Sequence, residues 1–426
     1  MFNFTKKILL LGLFLIGALS TVYGQFSIVG EIRPRAEFRN GFKTLNKDNT
    51  DPAFFIEQRS RLYFGYKADK INFKLSLQDV RIWGNADQIY KEDPALANVY
   101  EAWAEYELSS KWAVKAGRQD LNYDNARFLG NLGWAQQGRS HDALLLTFKD
   151  STGTQLHIGG AFNQNVPFEP GKLFSTYYEG VNNYKTIQYA WLHKDLGNSN
   201  FSVLVFNDGR QAADSAVHFR QTYGFFGNTK VGNVKLQGEL YYQGGKNGGG
   251  ADVSAYMIAL NATLPTKITP LTIGFDYLSG TEASDDKDKS FAPLYGTNHK
   301  FYGLMDYFYV GNGHNVGGKS IGLVDIFLKT NFKLSKKSSL LGHLHYFSSP
   351  VAIQNPEGSG EASAGLGTEL DLVWNVNMSK WANFKLGYSQ MFATETMGIV
   401  KSGNHDMTNN WAWAMLTIKP ELFKSK

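Results

Sequence analysis

Between Ile28 and Arg39 the chain alternates without a break. Val29, Glu31, Arg33, Arg35, Glu37 and Arg39 fall on one parity, and Ile28, Gly30, Ile32, Pro34, Ala36 and Phe38 on the other. A second stretch, Phe54 to Tyr66, repeats the device with Glu57, Arg59, Arg61 and Tyr63 against Ile56, Leu62, Phe64 and Tyr66. A guanidinium is a planar fork that binds carboxylates in pairs and stays charged at any relevant pH. Guanidiniums repeated at strand spacing suit a ligand that carries repeated carboxylates, and rings of Arg or Lys are how pores select anions. Arg81, Arg118 and Arg139 extend the array, with Glu31, Glu37, Glu57, Glu101 and Glu105 interleaved. Acids so placed can also brace the wall by pairing with the bases. The mixed reading is that they hold some forks in position and leave others to touch solute.

The elements that carry such an array follow from the alternation. A strand turns successive side chains to opposite faces. Five charges on one face cannot line a dry core, so that face meets bulk water or a wet channel. The two-residue period recurs to the end: Tyr100–Leu108, Val234–Gln243, Leu366–Val376 and Ala382–Phe392 each set a polar parity against an aromatic and aliphatic one. The apolar parity is too aromatic for a solvent face. Aromatic residues gather near strand ends, as in Tyr63/Tyr66, Trp83, Tyr100, Trp112, Tyr241/Tyr242, Trp381 and Trp411/Trp413, the girdle pattern of a membrane-spanning sheet. Among spanning structures only helices and closed barrels satisfy every backbone group in lipid. Behind the N-terminal leader no apolar run approaches the roughly 20 residues a helix needs.

Short polar turns near Asp69-Lys70, Ser109-Ser110, Asp150–Gly153, Leu196–Asn200, Gly232-Asn233, Pro265–Lys267, Ser335–Lys337 and Asn377–Lys380 alternate with long irregular links. The links fall at 40–53, 84–97, 121–140, 164–183, 208–216, 244–251, 280–318, 349–362 and 393–408. This asymmetry predicts an all-β fold: a single antiparallel transmembrane β-barrel of about eighteen strands with both termini in the periplasm. Phe301–Val310 then belongs to a long link. Ile71–Trp83 fits poorly, because the parity of Ile71, Phe73, Leu75 and Leu77 also carries Asp79 and Arg81. A β-bulge near Gln78 would repair the register.

Lys6 and Lys7, the apolar run Ile8–Leu19 and Val22-Tyr23-Gly24 read as a signal peptide over 1–24, leaving a barrel over 25–426 in the outer membrane of a Gram-negative-type envelope. There is no Cys, hence neither a disulfide nor a lipidated Cys. All eleven Arg lie at or before position 220, so the net charge of +5 says less than its distribution.

Several segments resemble the alginate export family of outer-membrane barrels. They are Gly30-Glu31-Ile32-Arg33-Pro34-Arg35, Glu57-Gln58-Arg59-Ser60-Arg61-Leu62, Leu77-Gln78-Asp79-Val80-Arg81-Ile82-Trp83-Gly84, Glu101-Ala102-Trp103, Gly117-Arg118-Gln119 and Trp134-Ala135-Gln136-Gln137-Gly138-Arg139-Ser140-His141-Asp142-Ala143. All lie in the first third, and the rest matches in texture only. The resemblance implies an eighteen-stranded barrel that conducts an acidic polysaccharide through an Arg-rich constriction. It assigns Arg33, Arg35, Arg59, Arg61, Arg81, Arg118 and Arg139 to that path, with Glu101 and Asp79 as acidic partners beside Glu31, Glu57 and Glu105.

No catalytic pattern competes. One GxSxG string occurs, Gly318-Lys319-Ser320-Ile321-Gly322, but without the strand-to-helix setting of a nucleophile elbow, and there is no HExxH motif. His343 and His345 share one face at two-residue spacing, but a zinc site usually takes three protein ligands or more. The expectation is therefore two lumen-facing histidines with no metal, no cofactor and no catalysis. Asp285, Asp286 and Asp288 read as a solvated loop tip, and Gly244–Gly250 as a flexible link. No nucleic-acid motif is present. The expected function is a passive channel for an anionic, uronate-type oligo- or polysaccharide. A porin for small organic anions and a non-conducting adhesin or assembly barrel are the rival readings. The expected partners are that saccharide, outer-membrane lipid and periplasmic secretion or uptake proteins, with a barrel able to act as one copy.

Overall fold

The computed structural model describes residues 24–85, 97–164, 184–212, 214–356 and 360–425. The leader, apart from Gly24, and most of the links 84–97 and 164–183 lie outside these residues.

The first thirteen strands are β1 (Gln25–Asn40), β2 (Ala53–Ala68), β3 (Ile71–Ile82), β4 (Ala97–Glu107), β5 (Trp112–Gln119), β6 (His141–Lys149), β7 (Thr154–Phe162), β8 (Thr186–Leu196), β9 (Ser199–Gln211), β10 (Val217–Val231), β11 (Val234–Lys246), β12 (Asp252–Leu264) and β13 (Leu271–Leu278). A two-residue hairpin, β14 (Asn315–Val316) and β15 (Lys319–Ser320), stands apart from the main sheet. Then come β16 (Leu323–Lys333), β17 (Ser338–Ser348), β18 (Gly365–Asn377), β19 (Ala382–Ala393) and β20 (Asn409–Ile418). The piece β21 (Glu421–Lys424) continues β20 beyond Pro420. Each strand pairs antiparallel with the next, and β1 pairs with both β2 and β20. The sheet therefore closes as an eighteen-stranded barrel without a free edge, as expected. β1 begins and β21 ends at the short-turn end, where the Phe26 amide donates to Ser425 Oγ at 2.7 Å.

The alternation sorts the faces. Ile32, Phe54, Leu62, Leu144, Leu240, Leu260, Leu386 and Phe392 are exposed on the outside, a surface that only lipid satisfies. The charged parity of β1 and β2 points inward, with Glu31 opposite Arg61, Arg33 opposite Arg59 and Arg35 opposite Glu57.

In β3 the expectation fails. Pairing with β2 runs without interruption from Glu57–Ile82 to Ala68–Ile71, so no bulge re-aims this strand toward β2. The shift lies on β4, where Ser76 pairs with Glu101 and Leu77 with Val99, and Tyr100 is the extra residue. Asp79 and Arg81 therefore stay on the outward parity.

Three long links turn inward. The segments 120–140 and 279–322 bring Leu121, Tyr123, Phe128, Leu129, Phe291, Tyr295, Tyr302, Met305, Tyr307 and Phe308 into an apolar core. That core packs on inner-face Phe206, Tyr241, Met257, Leu323, Phe347 and Trp411. Phe301–Val310 is loop, as expected. The link after β19 forms helix α1 (Glu395–Lys401), started by Thr394, whose hydroxyl accepts from the Met397 amide at 3.3 Å. Part of the lumen is thus filled with side chains rather than water, which narrows the wet channel expected behind the charged strand faces.

Candidate solute path through the barrel

The arginines of β1 and β2 are held by the chain's own backbone. Arg33 donates from Nη1 to the Gly133 carbonyl at 2.7 Å, from Nη2 to the carbonyls of Trp134 and Ala135 at 3.0 Å each, and from Nε to Gln136 Oε1 at 3.1 Å. Arg35 donates to the Trp134 carbonyl at 3.0 Å and to Glu37 Oε1 at 2.8 Å, and pairs with Glu57. Its guanidinium lies 4.1 Å above the Trp134 ring. Arg59 donates from Nε to Glu31 Oε1 at 2.8 Å and reaches the carbonyls of Ala135 and Gln136 at 3.4 and 3.5 Å. Arg61 donates to Gln78 Oε1 at 2.8 Å and to the Gln137 carbonyl at 3.0 Å, and covers the Tyr100 ring at 3.6 Å. Each of the four is 4–6 % exposed. A loop inside a barrel carries carbonyls that must find donors, and forks at strand spacing supply them. The segment 133–137 is a strap, and these arginines are its cleats.

Arg139 joins the two inward loops, donating to the Gly130 carbonyl at 3.2 Å and to the Gly296 carbonyl at 3.0 Å. Burial lowers its pKa to about 10, which leaves it charged at neutral pH.

The remaining expected site residues divide. Glu31 accepts from Arg59 and from the Tyr63 hydroxyl at 2.8 Å. Glu57 pairs with Arg35. Glu101 faces inward, but its partners are Lys74 Nζ at 2.5 Å and Trp103 Nε1 at 3.2 Å rather than an arginine. Glu105 sits on the inner face between Asn72 and Lys115. Asp79, Arg81 and Arg118 do not belong to the lumen. Arg81 Nε donates to Asp79 at 2.7 Å on the outer parity of β3. Arg118 is opposite Asp142, which it grips at 2.9 and 2.8 Å. That pair shares the outward face of Ala116 and exposed Leu144. A two-residue period decides all three, since without a bulge on their own strand they cannot change sides.

What the sequence reading missed lies beneath the strap. A cavity of about 470 Å³ is lined by Trp134, Trp413, His299, Lys300, His343 and Lys385, with amides of Asn122, Asn125 and Asn131 among them. Trp134 stacks on His299 at 4.5 Å between centroids and meets Trp413 edge-on at 4.8 Å. Lys300 donates to the Asn125 carbonyl at 2.9 Å. Lys385 has neither a hydrogen bond nor an ion pair among the described residues. A second cavity, of about 660 Å³, is lined by Gln78, Tyr100, Leu132, Gln137, Arg139, His141 and Tyr184, and the outward-parity pair Arg118 and Asp142 also borders it. Leu132 borders this one, whereas Asn131 and Gly133 border the first. The segment 131–139 is therefore the partition between them. Lys385 lay on the polar parity of its strand and was legible as inward. Lys300 ends a single 3-10 turn, Asn298–Lys300, within a long link, where periodicity carries no signal.

The family model described as alginate export matches residues 25–412. No curated protein matches the chain. Among solved structures, the chain is similar to OccAB4 of Acinetobacter baumannii, with a TM-score of 0.60 and 12 % identity over 94 % of this chain and 99 % of that one. It is also similar to OccK9 (OpdG) of Pseudomonas aeruginosa, with a TM-score of 0.60 and 11 % identity over 93 % and 98 %. The outer membrane protein OprD of Pseudomonas aeruginosa gives a TM-score of 0.58 and 10 % identity over 93 % and 94 %. At such identities the likeness concerns the fold. The family match covers most of the chain, and with the closed eighteen-stranded barrel it makes this protein an outer-membrane β-barrel channel belonging to the alginate export family.

Proposed function

We propose that the barrel conducts an anionic saccharide of the uronate type, by passive diffusion and without chemistry on it. The observation that carries this reading is the cavity under the strap, which sets the rings of Trp134 and Trp413 beside Lys300 and Lys385. Aromatic faces stack on the apolar faces of sugar rings, side-chain amides hydrogen-bond hydroxyls, and ammonium groups attract carboxylates. The family to which the chain belongs supports the same solute class.

The strap supplies a way to open. Its carbonyls are neutral acceptors for Arg33, Arg35, Arg59 and Arg61. Those bonds already carry the guanidinium's charge, and a carboxylate adds its own charge and a second oxygen, so that Arg–carboxylate pairs are frequently bidentate and gain energy as well as specificity. A polyuronate entering the lumen competes for the same forks and displaces the strap, then leaves through many weak sites. Arg33, Arg35, Arg59, Arg61 and Arg139 act in this reading at the gate, with Glu31, Glu57, Glu101 and Glu105 holding charge balance around it.

A second reading is a porin for small organic anions. The two inward loops and their apolar core favour it, because they narrow the lumen at rest. Reversal potentials in planar bilayers under a salt gradient test the shared claim. Anion selectivity is expected, shifted toward cations in Lys385→Glu. A reversal potential of the cation-selective sign in the wild type, or one unmoved by Lys385→Glu, contradicts it.

A further inference from the structure

We infer that His343, His345 and Asp371 form a binding site for one divalent transition-metal ion on the inner wall of the barrel. Their ligand atoms all lie within 4.8 Å of one another. The register explains why. His343 is directly opposite Asp371 across the β17–β18 pair, and His345 stands two residues along on the same face. Directly opposed Cβ atoms are about 4.5–5.5 Å apart and diagonal neighbours about 7–8 Å, so three side chains converge without any backbone adjustment. Ligands at 2.0–2.1 Å around a zinc ion sit about 3.4 Å from one another, which small side-chain rotations reach from this starting point.

Two further observations point to a ligand. His345 is 1 % exposed, and its Nε2 is buried without a hydrogen-bond partner among the described residues. Its Nδ1 is held by both oxygens of Asp325 at 2.9 Å. A carboxylate that fixes one ring nitrogen of a histidine while the other faces an ion is the usual support of a metal-bound imidazole. An orphaned buried nitrogen is otherwise a cost without a return. Neither ring nitrogen of His343 has a hydrogen-bond partner among the described residues, and His343 borders the cavity beneath the strap.

The surrounding charge asks for a cation. Glu239, Asp276, Asp325, Glu369 and Asp371 are all at most 3 % exposed. They face two cations, Arg127, which is bound to Glu239 and Asp276, and Lys329, which stands opposite His343. Five carboxylates against two bases leave a formal deficit of positive charge in a region where unpaired charge is expensive. Lys329 repels an ion at His343, while Asp371 and Glu369 on one side and Asp325 and Asp276 on the other offset it. Imidazole and carboxylate together suit Zn²⁺, Ni²⁺, Fe²⁺ or Cu²⁺ rather than Ca²⁺ or Mg²⁺. Asp371 Oδ2 also accepts from the Leu304 amide at 3.4 Å, so a bound ion would stiffen the wall against which the loop 301–313 rests. The site stands whether or not the channel carries saccharide.

The test uses the untagged, detergent-solubilised barrel, stripped with chelator and titrated with Co²⁺ while visible absorption is recorded. Saturation at one Co²⁺ per chain with ligand-field bands is expected, reversed by one equivalent of Zn²⁺. Asp325→Asn should weaken binding about 10–100-fold. His343→Ala should abolish saturation in the range where the wild type saturates, with heat-modifiable electrophoretic mobility confirming that it remains folded. Should His343→Ala not fold, His343→Gln, at a partly open position, answers the same question. Absence of saturable Co²⁺ binding, or titrations superimposable between wild type and the His343 variant, overturns the site.

Discussion

The two walls of this barrel hold their inward loops by opposite means. On β1 and β2 the cleats are guanidiniums, and they grip the carbonyl oxygens of 133–137. On β18 the cleats are carboxylates, and they grip amide N–H groups. Glu369 Oε1 accepts from the Met305 amide at 2.8 Å, and Asp371 Oδ2 from that of Leu304. The neighbouring Gly303, at φ 81°, comes so close that a Cβ would lie 2.6 Å from Glu369 Oε1. The same alternation thus produces a positive wall that fixes one face of a peptide and a negative wall that fixes the other. Charge density on a strand face is therefore not by itself a measure of what solute meets. Four of the arginines that look most like a selectivity filter in the sequence are bound to the backbone at rest, and the cavity beneath the strap is lined by Lys300 and Lys385 instead.

Breaking the positive wall should have the larger consequence. Arg33→Met removes donors to three strap carbonyls and to Gln136, and bonds to charged donors are worth about 1.5–3 kcal/mol each. Segment 131–139 should detach, seen as new proteolytic cleavage there and a severalfold rise in single-channel conductance. An unchanged conductance would mean that the strap does not close the path. On the negative wall, Glu369→Met leaves the Met305 amide without its acceptor, at a cost of about 1–3 kcal/mol. Amide exchange should accelerate over 301–313 and stay slow over 131–139. Equal acceleration in both loops would show that the walls act as one unit.

Trp134 belongs to both the strap and the cavity, so Trp134→Phe sharpens the distinction between holding and binding. It keeps a ring for Arg35 but loses the indole face stacked on His299. Block by uronate oligomers should weaken about tenfold, equivalent to about 1.4 kcal/mol, with conductance in their absence little changed. The smallest effect is a pH dependence at α1. Lys401 Nζ donates to the Gly313 carbonyl at 2.6 Å, and burial lowers its pKa to about 7 from 10.5. Released to solvent it keeps its proton up to about 10.5, so docking of α1 on the inward loop strengthens as pH rises from about 7 toward 10.5 and is weakest below 7. Exchange of the Ser402 amide, corrected for intrinsic rate, should slow over that range in the wild type and not in Lys401→Met.

The barrel was legible because closure, strand number and facing all follow from a two-residue period and alternating link lengths. The inward position of Arg33, Arg35, Arg59 and Arg61 came from the same source. The outward turn of Asp79 and Arg81 was visible as a broken pattern, and the pattern was right: the bulge belongs to Tyr100 on the next strand, where sequence shows nothing. The strap could not be read, because what binds the guanidiniums is backbone, which every residue possesses. Nor could the third group beside His343 and His345, since Asp371 joins them by strand register over a separation of more than twenty residues.

The central claim is a gated path that recognises acidic sugar. Single-channel recording with graded uronate oligomers, a neutral oligosaccharide of equal length and a small dicarboxylate tests it most directly. Block should strengthen with uronate length and be lost in Lys385→Glu, with little block by the neutral sugar or the dicarboxylate. Equal block by all three, or none by uronate, would contradict it.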